Sequence, residues 1–333
     1  MKALTLQAPK TPITCQEMPQ PTPTKGQVLV KIKAAAINHR DVYITQGLYP
    51  GVVTPIILGS DGAGEVIEVG EDVSSSWLNQ SVVLNPSIGW DSAPNVQPNN
   101  YRILGMPDNG CFAEYIAVDV DQIRKAPSHL SFEQAAALPL AGLTAYRALF
   151  SRAQLQKGER VLISGVGGGV ALFACQFAIA AGAEVYVTSG SKEKIEAAIA
   201  LGAKGGVSYK EENWHKLLQE KAKGGFDVIV DSAGGDGFKY FLDVANMGGR
   251  IVFYGGTRGS FKVNPQKVFW KQLSLLGSTM GNTKEFEQML TFVATTQLIP
   301  VVDSTWKLEE GAKAFDYMDQ GKQFGKIVFS MED

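Results

Sequence analysis

Two patterns of hydrophobic positions divide the chain. Up to residue 125, short apolar runs such as QVLVKIKAAA and SVVLN alternate with clusters of Pro, Gly, Asn and Ser. This alternation predicts a compact domain rich in short β-strands. From Ser131 onward the chain carries helix formers behind a capping serine, and Pro139 starts a second helix. The change of pattern predicts a first domain over residues 1–125.

Beyond that boundary, continuous apolar runs alternate with helical stretches. The apolar runs are RVLIS, EVYVTS, GVSY, FDVIVD, GRIVFY and LSLLGS. Such alternation is typical of a parallel sheet that is covered by helices on both faces. Six strands in this order predict an α/β dinucleotide-binding domain over residues 126–270. We expect residues 271–333 to supply its last strand and then to return to the first domain.

Composition narrows the possible functions. The 333 residues include 31 basic and 33 acidic side chains, which gives no sign of a nucleic-acid-binding surface. The longest nearly apolar run, 170–181, is shorter than the roughly 20 residues that span a bilayer. The N-terminal MKALTLQAPKTP contains no signal-peptide core. We therefore expect a cytoplasmic protein with neither nucleic acid nor membrane as a partner.

A glycine-rich turn follows the first strand of the second domain. Gly165, Gly168 and Ala171 fit a shifted form of the dinucleotide-binding fingerprint, whereas the strict GxGxxG pattern fails at Val170. In such a turn, backbone N–H groups and the positive end of the next helix face a diphosphate, which a Cβ would obstruct. The turn predicts a bound dinucleotide, and the alternative is a turn that only packs.

The end of the second strand predicts which dinucleotide binds. A carboxylate there would bind the adenosine ribose and repel a 2′-phosphate, but the chain reads TSGSKEK over residues 188–194. Hydroxyls and lysines at a helix N-terminus suit an additional phosphate, and Tyr209 could close over it. We therefore expect NADPH rather than NADH, the alternative being that Lys192 and Lys194 are simply solvated.

Motifs along the whole chain point to one family. They are AAINHRDVYITQGLYP, LGSDGAGEVIEVG, NGCFAEY, FEQAAALPLAGLTAYRAL, the glycine turn, DSAGG and VFYGG. Together they resemble the medium-chain dehydrogenase/reductase superfamily, most closely its zinc-free, quinone-oxidoreductase-like (zeta-crystallin-like) branch. The resemblance implies a GroES-like, β-rich catalytic domain made from both chain ends. It also implies a Rossmann domain inserted between them and an active site in the cleft.

Departures from the zinc-dependent relatives argue against a metal. Where those enzymes carry a metal-binding cysteine and a His-Glu pair, this chain has Asn38 and Ser60-Asp61. Residues 85–105 resemble a lobe that holds a structural zinc, yet they contain no cysteine, and Cys15, Cys111 and Cys175 form no CxxC pair. We expect no metal site.

Without a Lewis acid, an alcohol is hard to convert to an alkoxide, whereas an acceptor with its own electron sink remains reducible. A quinone or an α,β-unsaturated carbonyl fits, since it takes hydride from NADPH and then a proton from water or a hydroxyl. The alternatives are a zinc-free NAD(P)-dependent alcohol or aldehyde dehydrogenase, in which hydrogen bonds replace the metal, and a noncatalytic NADPH-binding protein.

The family resemblance implies individual roles. Asn38 would donate a hydrogen bond to the developing oxyanion, Asp41 would orient its loop, and Tyr43 or Tyr49 would position the substrate or supply a proton. The implied cofactor-binding residues are Thr144, Gly165, Gly168, Gly169, Val170, Gly190, Ser191, Lys194, Tyr209, Ser232, Tyr254, Gly255, Thr257, Ser278, Thr279 and Met280.

The last strand of the second domain predicts self-association. LSLLGS would leave a hydrophobic strand exposed at the edge of the sheet. We therefore expect a homodimer that forms through this edge, near Gln272 to Ser278.

Overall fold

A computed structural model describes residues 1–91 and 95–331 of the chain. Its N-terminal part contains mainly short strands: β1 (Lys2–Leu6), β2 (Thr14–Glu17), β3 (Gln27–Ala36), α1 (His39–Thr45), β4 (Ile56–Ile57), β5 (Asp61–Val69), β6 (Ser81–Leu84), β7 (Ser87–Ile88), β8 (Arg102–Ile103), β9 (Tyr115–Asp119), β10 (Ile123–Lys125), α2 (Phe132–Ala136) and α3 (Pro139–Tyr146).

Strands and helices alternate in the middle of the chain: β11 (Arg160–Ile163), α4 (Gly169–Ala180), β12 (Glu184–Ser189), α5 (Lys192–Ala200), β13 (Gly205–Ser208), α6 (Trp214–Ala222), β14 (Phe226–Asp231), α7 (Phe238–Val244), β15 (Ala245–Phe253), α8 (Pro265–Lys271) and β16 (Ser274–Gly277). The C-terminal part contains α9 (Thr283–Thr296), β17 (Val302–Lys307), α10 (Gly311–Asp319) and β18 (Lys326–Ser330).

The chain forms two compact units. Met1–Leu143 and Gly281–Asp333 form the first, and Thr144–Met280 forms the second. Residues after 125 belong to the first unit because α2, which begins behind the capping hydroxyl of Ser131, packs against β3 and β5. The domain bounds drawn from the sequence at 125 and 270 stay predictions.

A seven-stranded sheet organises the first unit. Strands β10, β6, β5, β3, β18 and β17 follow one another in this order, and β9 also pairs with β3. The alternating sequence of β3 buries Val28, Val30 and Ile32 in the core of the unit. Strand β18 pairs antiparallel with β3, so this C-terminal strand belongs to the sheet of the first unit.

A six-stranded parallel sheet organises the second unit. Its strand order is β13, β12, β11, β14, β15 and β16, and every pair is parallel. In β11 the apolar residues Val161, Leu162 and Ile163 are fully buried, as expected for a strand covered on both faces. The predicted dinucleotide-binding architecture is confirmed. No helix within residues 1–91 and 95–331 has both the length and the apolar character needed to cross a membrane.

Candidate functional site

The first group of candidate residues surrounds Asn38, which immediately precedes α1. The Asn38 side chain is buried, its Oδ1 accepts a hydrogen bond from Lys326 Nζ at 2.6 Å, and its Nδ2 donates to Asp61 Oδ2 at 2.9 Å. Lys326 Nζ also donates to Asp61 Oδ2 at 2.9 Å. Asp61 Oδ1 accepts from the backbone N–H of Leu140 at 2.7 Å. Asn38, Asp61 and Lys326 thus form a closed, buried polar cluster, which we call the Asn38 cluster.

Asp41 holds the backbone of the same turn. Its Oδ2 accepts a hydrogen bond from the backbone N–H of Asn38 at 2.8 Å. Burial raises the pKa of the Asp41 carboxyl to about 6, and the Arg40 guanidinium, 3.8 Å from Oδ1, offsets only part of this rise. The contact agrees with the predicted orienting role of Asp41, which stays a prediction.

Ser60 lies next to the Asn38 cluster but points into a different network. Arg40 Nη1 donates to Ser60 Oγ at 2.6 Å and to the carbonyl of Leu104 at 3.1 Å. Ser60 Oγ in turn donates to the Leu104 carbonyl at 2.7 Å. The hydroxyl of Ser60 is therefore engaged with neutral and cationic partners within the protein.

The two candidate tyrosines lie close to this turn. Both are half-buried; the Tyr43 ring lies 6.4 Å from the ring of His39, and the Arg40 guanidinium lies 5.0 Å from the centre of the Tyr49 ring. Tyr49 also packs against the core of the first unit. A catalytic role for either tyrosine stays a prediction.

The second group of candidates begins at the glycine turn between β11 and α4. Gly165 has a φ of +65° and Gly167 a φ of +138°, which side-chain-bearing residues rarely adopt. Gly168 precedes the helix without a capping side chain, and Gly169 and Val170 form its first turn. No side chain caps the N-terminus of α4, and a bound anion can take the place of such a cap. This backbone fits a dinucleotide diphosphate.

The predicted 2′-phosphate site gathers residues from two successive connections. A Cβ on Gly190 would lie 2.6 Å from the Tyr209 hydroxyl, so this glycine allows the close approach of Tyr209. Lys194 lies against the turn, since a Cβ on Gly167 would be 3.4 Å from its Nζ. Ser191 caps α5 by accepting from the Lys194 backbone at 3.2 Å, while its Oγ donates to Glu193 at 2.5 Å.

A pocket of about 270 Å³ opens near the carboxyl ends of the parallel strands in the second unit. Ser232 and Thr257 line it together with Tyr209, and the Arg258 guanidinium lies 5.1 Å from the centre of the Tyr209 ring. Gly255 approaches the same connection closely, since a Cβ there would lie 2.7 Å from the Ser232 carbonyl.

The remaining cofactor candidates follow β15 and β16, except Thr144, which lies in α3. Desolvation raises the pKa of the Tyr254 hydroxyl, which is hydrogen-bonded to Ser232. Ser278 N–H donates to the carbonyl of Phe253 at 2.9 Å, which fixes the backbone ahead of Thr279. Thr144 Oγ1 lies 3.8 Å from Met280 Sδ, so these two candidates are neighbours in the second unit.

Four residues that sequence reasoning did not assign belong to these groups. Lys326 completes the Asn38 cluster, Arg258 lines the pocket, and Ser164 donates a short hydrogen bond to buried Asp231. Asp231 also accepts from the Gly234 backbone at 2.8 Å and so shapes the turn after β14. The position of Asp231 at the end of a buried strand was a usable signal, whereas nothing local marks Lys326 or Arg258.

Comparisons with known proteins identify both units. Residues 24–128 match the family model of the alcohol dehydrogenase GroES-like domain, and residues 169–295 match that of zinc-binding dehydrogenases. A zinc-type alcohol dehydrogenase-like protein of Leptosphaeria maculans, YogA, is 35% identical over 96% of this chain and 95% of its own length. Among solved structures, an NAD-dependent alcohol dehydrogenase has a TM-score of 0.93 and 34% identity, with 100% of both chains covered.

Two further relatives carry names of reductases. The acryloyl-coenzyme A reductase of Metallosphaera sedula is 30% identical over 99% of this chain and 100% of its own length. The quinone oxidoreductase of Homo sapiens is 30% identical over 92% of this chain and 90% of its own length.

Zinc appears in the name of one matched family and of the Leptosphaeria maculans relative, and it requires ligand atoms that can bind a cation. Asn38 Oδ1 and Asp61 Oδ2 both accept from the Lys326 ammonium, whose charge would repel a divalent cation. Nowhere in the described part of the chain do three or more His, Cys, Asp or Glu side chains form a group that could hold a metal ion. The residues of the Asn38 cluster do not fit zinc.

The fold, the glycine turn and the relatives all indicate the same family. The two matched family models together extend over most of the chain. The six-stranded parallel sheet, with a glycine turn after β11, agrees with them. The chain belongs to the medium-chain dehydrogenase/reductase superfamily, in its zinc-free, quinone-oxidoreductase-like branch, and is an oxidoreductase.

Proposed function

We propose that this protein is an NADPH-dependent reductase of quinones or α,β-unsaturated carbonyl compounds, and that it works without zinc. The Asn38 cluster carries the proposal, because it offers hydrogen-bond donors and a buried ammonium where a metal would need free ligands. Relatives named quinone oxidoreductase and acryloyl-coenzyme A reductase support the same substrate classes.

The Asn38 cluster suits a substrate on whose oxygen atom negative charge develops when the substrate accepts a hydride. Asn38 Nδ2 carries two hydrogens, and Asp61 accepts one of them. We assign the other hydrogen to the oxygen of a quinone or enone, where negative charge develops during reduction. The proton that completes the reaction comes from water or from the hydroxyl of Tyr43 or Tyr49.

The second unit supplies the cofactor site. The turn from Gly165 to Val170 holds the diphosphate, and Lys194, Tyr209 and Arg258 bind the 2′-phosphate of the adenosine. Bound NADPH supplies the hydride that reduces the acceptor. Glu193, which accepts from Ser191, is the one group in the first turn of α5 that opposes an extra phosphate. The rates of oxidation of NADPH and NADH must therefore be compared in the experiment that tests the function.

A second candidate is a zinc-free alcohol or aldehyde dehydrogenase. It is favoured by the names of the Leptosphaeria maculans relative and of the solved NAD-dependent alcohol dehydrogenase. In that case Asn38 and its partners would bind the alcohol oxygen through hydrogen bonds alone.

One experiment separates these functions. Oxidation of NADPH and NADH is followed with a series of quinones and enones, reduction of NADP⁺ and NAD⁺ with a series of alcohols, and zinc content is measured on the same sample. Rapid NADPH oxidation by metal-free protein supports the reductase. Turnover of alcohols alone supports the second candidate, and tight NADPH binding without any turnover supports a noncatalytic binding protein. Stoichiometric zinc would contradict the proposal of zinc independence.

We also propose a homodimer that forms through the β16 edge. In the described part of the chain β16 pairs only with β15, and its Leu275 and Leu276 are half-buried. Nearby on α8, Phe269 is 58% and Trp270 72% exposed. A second copy would cover these apolar side chains and pair the free strand edge. A monomer by light scattering at micromolar concentration would refute this dimer, and Trp270→Glu is expected to weaken it.

A further inference from the structure

We infer that Lys326 is a positioning residue, which fixes the direction in which the Asn38 amide donates its hydrogen bonds. The inference rests on the proposed function, in which Asn38 donates to the substrate oxygen. It assigns a task in the reaction to a lysine that is 2% exposed and therefore is not placed to bind a solvent-borne ligand.

The partners of the amide allow one orientation only. Lys326 Nζ can only donate and a carboxylate of Asp61 can only accept, so Asn38 must turn Oδ1 toward the lysine and Nδ2 toward the aspartate. The flipped amide would set two donors against each other and two acceptors against each other. Either mismatch in a buried site costs far more than a surface hydrogen bond contributes.

The backbone holds the lysine in place from two sides. Lys326 is the first residue of β18, and its backbone N–H donates to the carbonyl of Val301 at 3.0 Å. The next residue, Ile327, accepts from the N–H of Ile37 at 3.0 Å, directly before Asn38. The ammonium is thus delivered by a strand that is hydrogen-bonded to the segment carrying the amide.

The far side of the cluster is equally fixed. Asp61 opens β5, and its Oδ1 accepts from the Leu140 backbone at the start of α3. Consequently Asn38 cannot follow a moving aspartate, and its second Nδ2 hydrogen keeps a constant direction. An oxyanion donor is effective only when it is held in place before the charge develops.

A double-mutant cycle tests the inference. Lys326→Met is expected to lower kcat by about tenfold or more, since a misdirected group near the reacting atoms costs up to about 10²-fold, while KM for NADPH changes little. In the Asn38→Ala background, where no amide remains to be positioned, adding Lys326→Met should lower kcat by less than about twofold. Equal losses in both backgrounds would overturn the inference, because Lys326 would then act independently of Asn38.

Two further variants protect this test against misfolding. Lys326→Met combined with Asp61→Asn removes both buried charges, and two facing amides can pair in either direction, so kcat should still fall even if the protein is as stable as wild type. Lys326→Arg keeps donors for both partners and should retain more kcat than Lys326→Met. The matched control is Lys33→Met, which removes a half-buried lysine on β3 that lies 3.8 Å from Glu65 and should leave kcat unchanged.

Failure of the proposed function is recognised separately. The proposed function would be overturned if none of the quinones or enones supported oxidation of NADPH by the wild-type protein. The positioning of Asn38 is then decided by a crystal structure of Lys326→Met, in which an amide that leaves Asp61 or rotates supports the inference and an unmoved amide refutes it. Active wild type with an additive cycle would refute the inference and leave the function standing.

Discussion

The two groups of candidate residues are built on different principles. In the first unit, one charged side chain binds each end of the Asn38 amide, and these partners, Asp61 and Lys326, are fully or almost fully buried. In the second unit, the glycine turn between β11 and α4 offers mostly backbone, with glycines at positive φ and a helix N-terminus without a side-chain cap. Side chains therefore provide the directionality in one unit, and the absence of side chains provides space in the other.

This difference implies different sensitivities. A buried ionic cluster is intolerant of losing one partner, because the other charge stays behind without compensation. A glycine turn is intolerant of gaining atoms, because an added Cβ both strains the backbone and fills the space of a ligand. We expect the first unit to respond to substitution in its stability and the second in its affinity for the dinucleotide.

The largest effect is expected for Asp61→Ala. The substitution leaves the Lys326 ammonium buried without a carboxylate and the Leu140 N–H without its acceptor. We expect a loss of about 3–5 kcal/mol in the free energy of unfolding, measured by urea denaturation. The control Asp108→Ala removes a partly exposed carboxylate 2.7 Å from Arg102 and should cost less than about 1 kcal/mol. Equal losses would show that the cluster is not specially sensitive.

A pH-dependent difference is expected for Asp41→Asn. The folded-state pKa of Asp41 is about 6, against an ordinary value of 3.8, so between these values the folded protein binds more protons than the unfolded chain. The stability of wild type relative to Asp41→Asn should therefore fall as pH rises from about 4 to about 7, by at most about 3 kcal/mol, and stay level above about pH 7. Urea denaturation of both proteins from pH 4 to 8 measures this difference. A difference that does not change with pH would show that the burial of Asp41 has no such effect.

Gly167→Ala tests whether the glycine turn binds the dinucleotide. The methyl group would meet Lys194 Cδ at 2.7 Å, at a φ of +138° that alanine rarely adopts. We expect the Kd for NADPH to rise by about tenfold, which corresponds to strain at the lower end of about 1–3 kcal/mol. Gly158→Ala is the control, since Gly158 also has a positive φ, of +85°, but no atom within 4 Å of the added Cβ. The Kd of Gly158→Ala for NADPH should stay at the wild-type value. A similar rise of Kd in both variants would contradict a specific role of the glycine turn in dinucleotide binding.

The smallest effect is expected for Arg258→Met. Arg258 is exposed and stacks over Tyr209 beside the pocket, so a phosphate that it contacts would remain partly solvated. We expect Kd for NADPH to rise about two- to fivefold and Kd for NADH to stay unchanged. Titration calorimetry with both nucleotides measures the ratio of the two Kd values. Lys262→Met is the control, since it removes an exposed cation that does not line the pocket. A loss of affinity that is equal for both nucleotides would remove Arg258 from the 2′-phosphate site.

Local patterns predicted the second unit well. The helix beginning at the glycine turn, the six strands and their order follow from apolar runs, glycines and caps that are close together in the sequence. For Asp231 this reasoning reached only the position at the end of β14, because its hydrogen bond comes from Ser164, the residue that follows the neighbouring strand β11. Hydrogen bonds between parallel strands depend on which strands become neighbours, and a single strand does not specify its neighbours.

The sequence by itself determined the family, the alternation of strands and helices and the place of the dinucleotide turn, because periodicity, glycine conformations and helix caps act over a few residues. The tertiary structure decided the environment of Asn38. Its lysine partner stands 288 positions away, and the aspartate that the two share stands 265 positions from that lysine. The pairings of β3 with β18 and with β5 bring these groups together, and Lys326 and Asp61 then leave the amide a single orientation.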